Sequence, residues 1–197
     1  MENMVFLVAI PKGPLYNCCV KIQRSLWKEY DLGKDLLPQI HLTIDGFYYK
    51  DEKEINEIQK KLERILLESS PFEIRSNGFG YIPSPHKCIT LHIVKTEELK
   101  NIYSFIHKSM QENGFRVREF SPEEMIFHIS LAGIHGREWS EEEMKQAWEK
   151  VRKFQFIESS LIDHLELWYP NLNPKKRLIK KLKIGQTINK DKKMEAE

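Results

Sequence analysis

This 197-residue chain lacks most of the features that assign a protein to a special class. It has no apolar run of membrane-spanning length, and the apolar residues 4–10 are too few, and lack the cationic flank, for a signal peptide. Charge of one sign is not in excess. Lys+Arg number 31 against Asp+Glu 29, and a net charge of +2 gives no global basic field of the kind that marks a nucleic-acid coat. Cysteine is scarce: Cys18, Cys19 and Cys88 form no metal or redox spacing, and an odd count argues against a disulfide framework. Cys18 and Cys19 are neighbours on a helical segment, so at least one is plain core. These absences point to a reducing cytoplasm. No Pro/Gly/Ser-rich linker divides the chain. What remains is 41% hydrophobic and 30% charged, an ordinary composition, long enough to bury a core as one domain or two small intertwined lobes.

What the chain does contain is one short pattern written twice. Residues 40–44 read Ile-His-Leu-Thr-Ile and residues 127–132 read Phe-His-Ile-Ser-Leu-Ala. Both alternate apolar and polar positions, as a half-buried strand does. Residues i and i+2 of a strand share a face about 6.5–7 Å apart, so Ile40, Leu42 and Ile44 turn to a core while His41 and Thr43 turn outward together. Phe127, Ile129 and Leu131 do the same for His128 and Ser130. The bare spacing is weak: seven histidines and sixteen Ser/Thr in 197 residues give about 0.6 chance matches. A third match, His107-Lys108-Ser109, lies in a helical pattern where i and i+2 diverge, and is set aside. The other two share strand context and surroundings.

Those surroundings repeat as well. An apolar strand at 5–10 ends at Pro11, Gly13 and Pro14, and Leu15, Cys19, Ile22 and Leu26 mark a helix to about Tyr30. The first motif strand follows at 39–49. Asp51 and Glu54 open a second helix with Ile55, Ile58, Leu62 and Ile65 on its buried face, and residues 72–82 form a strand bent at Gly78 and Gly80. The order then restarts: a strand at 88–94, a helix capped by Thr96 and ended by Gly114, the second motif strand, and a helix opened by Ser140 and Glu143. Strands at about 155–169 and 177–187 finish the chain, and residues 188–197 read as a flexible tail. The expected fold is α+β and bilobal: a pseudo-two-fold duplication, lobes at about 4–86 and 88–187 intertwined in one domain spanning 1–187, with helices outside and a cleft between.

Two such lobes bring both imidazoles and both hydroxyls to one cleft, which suits in-line displacement at phosphorus. One side of the phosphate needs a general base and the other a general acid. Histidine titrates near 6.5, so a neutral and a protonated imidazole coexist near neutral pH. The Thr43 and Ser130 hydroxyls can donate to the non-bridging oxygens. No step requires a metal or other cofactor. A zinc reading would combine His86 and His92 with His41, but no ligand spacing supports it.

At these residues, His41-Leu42-Thr43-Ile44 and His128-Ile129-Ser130-Leu131, the chain resembles the two-histidine (2H) phosphoesterase superfamily, and within it the bacterial 2′-5′ RNA ligase / cyclic phosphodiesterase branch. The resemblance covers about residues 4–187. It implies antiparallel sheets facing a central cleft, and hydrolysis of cyclic or linear RNA-type phosphodiesters, with ligation as the reverse reaction in some members. Many members carry an arginine shortly after the second motif where this chain has Gly133; Arg137 and Lys87 are the candidate substitutes.

The substrate expected is an RNA 3′ end or a small nucleotide with a 2′,3′-cyclic phosphate, handled by a monomer away from any membrane. Hydrolytic trimming of RNA 3′ ends, 2′-5′ ligation, and an RNA-binding module without turnover are the alternatives. Phe47, Tyr48 and Tyr49 after the first motif, and Trp168 and Tyr169, are candidate base-stacking residues, with core or rim as the plainer role. The basic run Lys175, Lys176, Arg177, Lys180, Lys181 and Lys183 reads either as an RNA track or as a solvated edge strand. Placing the nucleoside on the aromatic segment 47–49 makes His41 the acid and His128 the base, and the resemblance to the bacterial branch implies that O3′ leaves to give a 2′-phosphate.

Overall fold

The computed structural model describes residues 3–83, 87–133, 135, 137–154 and 157–185. The first repeat is β1 (Asn3–Ala9), α1 (Gly13–Tyr30), β2 (Leu42–Tyr49), α2 (Glu52–Leu67) and β3 (Phe72–Ile82). The second is β4 (Cys88–Ile93), α3 (Glu97–Glu112), β5 (His128–Ala132), α4 (Glu141–Val151) and β6 (Ser159–Ile162). β7 (His164–Trp168), a helical turn α5 (Pro174–Arg177) and β8 (Leu178–Lys183) follow.

Local chemistry sets the helix starts. Asp51 accepts from the Glu54 amide at 2.9 Å, Thr96 from the Leu99 amide at 3.1 Å, and Ser140 and Glu143 exchange hydrogen bonds in a complete capping box. Such caps contribute about 1 kcal/mol each. The predicted stripes are the buried ones: Ile55, Ile58, Leu62 and Ile65 on α2, and Leu99, Ile102, Ile106 and Met110 on α3.

The strands form one antiparallel sheet in the order β6-β3-β4-β5-β2-β1-β7-β8. The α+β duplicated fold is therefore present, and its two four-stranded halves join at the centre, where β2 meets β5 through Leu42 opposite Ile129. The halves interlock. β3 leaves the first repeat to pair with β4, and β7, which follows the second repeat, returns to pair with β1. For that reason the strand expected over 155–169 is two strands: β6 serves one end of the sheet beside β3, and β7 serves the other half. They separate at Asp163, whose carboxylate is held by Lys12 and His164, each at 2.6 Å. β8 is the edge strand at the far end, and its lysines are those of the basic run; Lys180 pairs with Glu63 at 3.0 Å. No described helix is long and apolar enough to cross a membrane. The segment 188–197 and His86 lie outside the described residues.

Candidate active site

One strand pairing builds the site. Leu42 and Ile129 lie opposite each other, fully buried in the core. One residue along each strand, side chains turn to the other face, so His41 and Thr43 flank Leu42 while His128 and Ser130 flank Ile129. In antiparallel register Thr43 comes across from His128 and Ser130 across from His41, leaving the imidazoles on a diagonal. The two rings are near enough for the charge of His128 to act on His41.

Both rings are held alike. His41 Nδ1 lies 2.7 Å from the Gln39 carbonyl, and His128 Nδ1 lies 2.9 Å from the Ile126 carbonyl, each two residues back. A carbonyl only accepts, so each Nδ1 carries a proton and donates it, leaving Nε2 as the working nitrogen. Burial lowers the His41 pKa most; the Gln39 carbonyl opposes this, and Arg177 and His128 push it further down. Behind the sheet, buried Gln23 of α1 donates to the Pro38 carbonyl at 2.7 Å and the Leu131 carbonyl at 3.0 Å, tying the approaches to both motifs together. Asp45, fully buried two residues past Thr43, accepts from the Gly46 amide at 2.7 Å and contacts His107 Nδ1 at 2.9 Å.

β4 extends the same face. Its register sets His92 opposite His128 and Thr90 opposite Ser130. Thr90 is fully buried, and its hydroxyl has no hydrogen-bond partner among the described residues. The His92 ring occupies the space above Gly80, where any Cβ would collide with it. The sequence offered His92 only as a metal ligand beside His86. Among the described residues no group of three or more His, Cys, Asp or Glu is placed to hold an ion.

A cavity of about 280 Å³ opens beside the first motif. His41 and Thr43 form one side, and Trp168, Tyr169, Arg177, Gln39 and His135 lie around them. The Trp168 and His41 ring centres are 5.0 Å apart, and the Arg177 guanidinium lies 4.1 Å from the Trp168 ring centre.

The structure places the other candidates elsewhere. Phe47 is fully buried core. Tyr48 stands seven residues along β2 from His41, roughly 20 Å or more at strand rise. It lines a separate open concavity, with Arg116 stacked at 4.4 Å from its ring centre. Arg137 is engaged by Glu143 at 2.7 and 3.1 Å and donates to the Tyr30 carbonyl at 2.5 Å; Lys87 pairs with Glu138 at 2.9 Å. Neither lines the His41 cavity. Gly133 could not carry the expected arginine. It adopts φ +100°, and a Cβ would overlap the Lys87 carbonyl and lie 2.7 Å from the Trp139 indole nitrogen. Sequence reasoning places Arg177 only in a basic run, not beside His41, and it misses Gln23, whose signal is a polar residue on the apolar stripe of α1.

An interlocked sheet with two outward His-x-Thr/Ser pairs at its centre defines a two-histidine phosphoesterase fold. The chain belongs to the 2′-5′ RNA ligase superfamily, whose sequence profile matches residues 21–173. It is 26% identical over 93 residues to a Geobacillus thermodenitrificans protein described as "putative phosphoesterase", covering 47% of this chain and 53% of that protein. The matched segment thus spans about half the length of that curated relative. Among solved structures, TT0787 of Thermus thermophilus superposes with a TM-score of 0.67 at 17% identity, over 95% of this chain and 100% of that one. E. coli LigT with 3′-AMP superposes with a TM-score of 0.57 at 11% identity, over 94% and 100%. At these identities the likeness is one of fold.

Proposed function

We propose that this protein is a metal-independent two-histidine phosphoesterase that hydrolyses 2′,3′-cyclic phosphates at RNA 3′ ends or on small nucleotides. The observation that carries this reading is the diagonal imidazole pair, each ring locked at Nδ1 with Nε2 left for the substrate. Both imidazoles come from one chain, so a monomer suffices, and three free thiols suit a cytoplasmic setting.

The nucleoside rests against Trp168 and Tyr169, which line the His41 cavity, rather than against residues 47–49. Its leaving O3′ then faces His41. Water attacks phosphorus from the opposite side and gives a proton to His128 Nε2. The P–O3′ bond breaks as His41 Nε2–H protonates the departing oxygen, yielding a 3′-hydroxyl and a 2′-phosphate. Thr43 and Ser130 donate to the non-bridging oxygens as their charge grows. His41 is held toward its neutral form in the free cleft, and the bound anion reverses this. A negative charge beside the ring favours its protonated form and so opposes the lowering by burial. Ligation uses the same geometry with an RNA 5′-hydroxyl in place of water: its attack on phosphorus, with His128 taking its proton and O3′ leaving protonated by His41, forms a 2′-5′ linkage.

The test is turnover of a small 2′,3′-cyclic nucleotide with and without EDTA, with products separated against 2′- and 3′-phosphate standards. Unchanged turnover in EDTA and a 2′-phosphate product are expected. Binding without turnover would mark an RNA-binding module, activity restored only by zinc or manganese would mark a metal hydrolase, and a dominant 3′-phosphate would reverse the docking.

A further inference from the structure

Arg177 lines the His41 cavity with no carboxylate set against it: among the described residues it enters no ion pair. Its guanidinium stacks on Trp168, and Nη2 donates to Gln39 Oε1 at 3.4 Å. Gln39 is also the residue whose carbonyl fixes His41. The acid that acts on it is Glu166, and that carboxylate already accepts the Trp168 indole N–H at 2.8 Å. A guanidinium partly withdrawn from water, stacked, oriented by a neutral acceptor and left with free donors is built to receive an anion. The chain needs such a group, because the backbone at Gly133 admits no arginine.

We propose that Arg177 is the anion-binding residue of this cleft, gripping the phosphate group that sits against His41. This inference rests on the phosphoesterase reading for its ligand class but not on turnover. The fork of N–H groups grips non-bridging oxygens, while stacking on Trp168 keeps the planar group in place without a countercharge. Lysine could supply the charge but neither the fork nor the stack.

Calorimetric titration with inorganic phosphate and adenosine 2′-monophosphate tests the proposal on wild type, Arg177→Gln, Arg177→Lys and Lys180→Gln. Arg177→Gln is expected to weaken both ligands about 10- to 100-fold, the range of lost charge-assisted hydrogen bonds. Arg177→Lys should recover part of that, and Lys180→Gln, a cation on the edge strand paired with Glu63, should bind as wild type. An NMR titration of His41 gives a second readout: with the guanidinium gone its pKa rises in the free protein. Phosphate affinity within twofold of wild type in Arg177→Gln, with melting temperature and His41 titration unmoved, overturns the proposal. So does equal weakening in Lys180→Gln, which would make the effect one of general charge. A protein that binds phosphate through Arg177 yet turns over no cyclic nucleotide would sink the catalytic reading and leave this inference standing.

Discussion

Removing either imidazole separates chemistry from folding, because the structure sets different sizes for the two effects. His41→Ala deletes one hydrogen bond to the Gln39 carbonyl and the edge of the ring stack on Trp168. His128→Ala deletes the matching bond to the Ile126 carbonyl. Each bond is worth about 0.5–1.5 kcal/mol, so both variants stay folded. A positioned general acid or base contributes about 10²–10⁴ in rate, roughly 3–5 kcal/mol of barrier. The double variant should be little slower than the slower single one, since groups that act on one transition state do not add. The assay is steady-state hydrolysis of a cyclic nucleotide, paired with thermal melts. A substrate with a far better leaving group then separates the roles: His41→Ala regains most of its loss because departure needs no proton, and His128→Ala does not. Either single variant keeping more than a tenth of wild-type kcat/KM while folded refutes the paired mechanism, and the opposite rescue pattern exchanges acid and base.

Gly133→Arg supplies the arginine that the resemblance leads one to expect after the second motif but should destabilise the protein by about 2–5 kcal/mol, through positive-φ strain and overlap with Lys87 and Trp139, without raising activity; a stable, faster variant in melts and kinetics would refute this. Gln23→Ala strands the Pro38 and Leu131 carbonyls, so a denaturation midpoint reporting a loss of about 1–3 kcal/mol is expected, and an unchanged midpoint would show that the tie does not matter. His41 has a lowered pKa in the free protein, so it is largely neutral at pH 7, and an anion favours its charged form. Binding of sulfate, whose charge does not change in this range, should therefore take up a proton and tighten as pH falls from about 8 to 6. Calorimetry in buffers of different ionisation enthalpy measures the uptake, and pH-independent affinity would contradict it.

What could be read before the structure was local. The alternation around His41 and His128, the caps at Asp51, Thr96 and Ser140, and the stripes of α2 and α3 each depend on residues within a few positions of one another. Their repetition made the duplication legible. The strand exchange was not, because β3 and β7 pair across the repeats and no short-range pattern encodes a partner. The same limit hid where the cavity wall stands: Trp168 and Tyr169 are legible as stacking candidates and Arg177 as part of a basic run, but they come beside His41 only because β7 crosses to β1. Tyr48 misled for a related reason. It is close to His41 in number, but an extended strand converts each residue into about 3.3 Å of distance.

The exchange also explains how a nearly symmetric scaffold can support a reaction with a direction. The central strands supply equivalent parts: two imidazoles, two hydroxyls and two backbone carbonyls at the same offset. Symmetry at that level cannot distinguish water from leaving group. The flanking strands differ. Beside β2 stands an aromatic and cationic wall of Trp168, Tyr169 and Arg177; beside β5 stand His92 and Thr90 of β4, with Gly80 of β3 making room for the imidazole. A nucleoside with an anionic phosphate has a flat apolar face and a charge to place, and among the described residues the first wall offers a stacking surface beside a cation without a carboxylate partner. In the proposed mechanism, substrate orientation, and with it the division of acid from base, follows from the outer strands, while the duplicated centre supplies the acid and base.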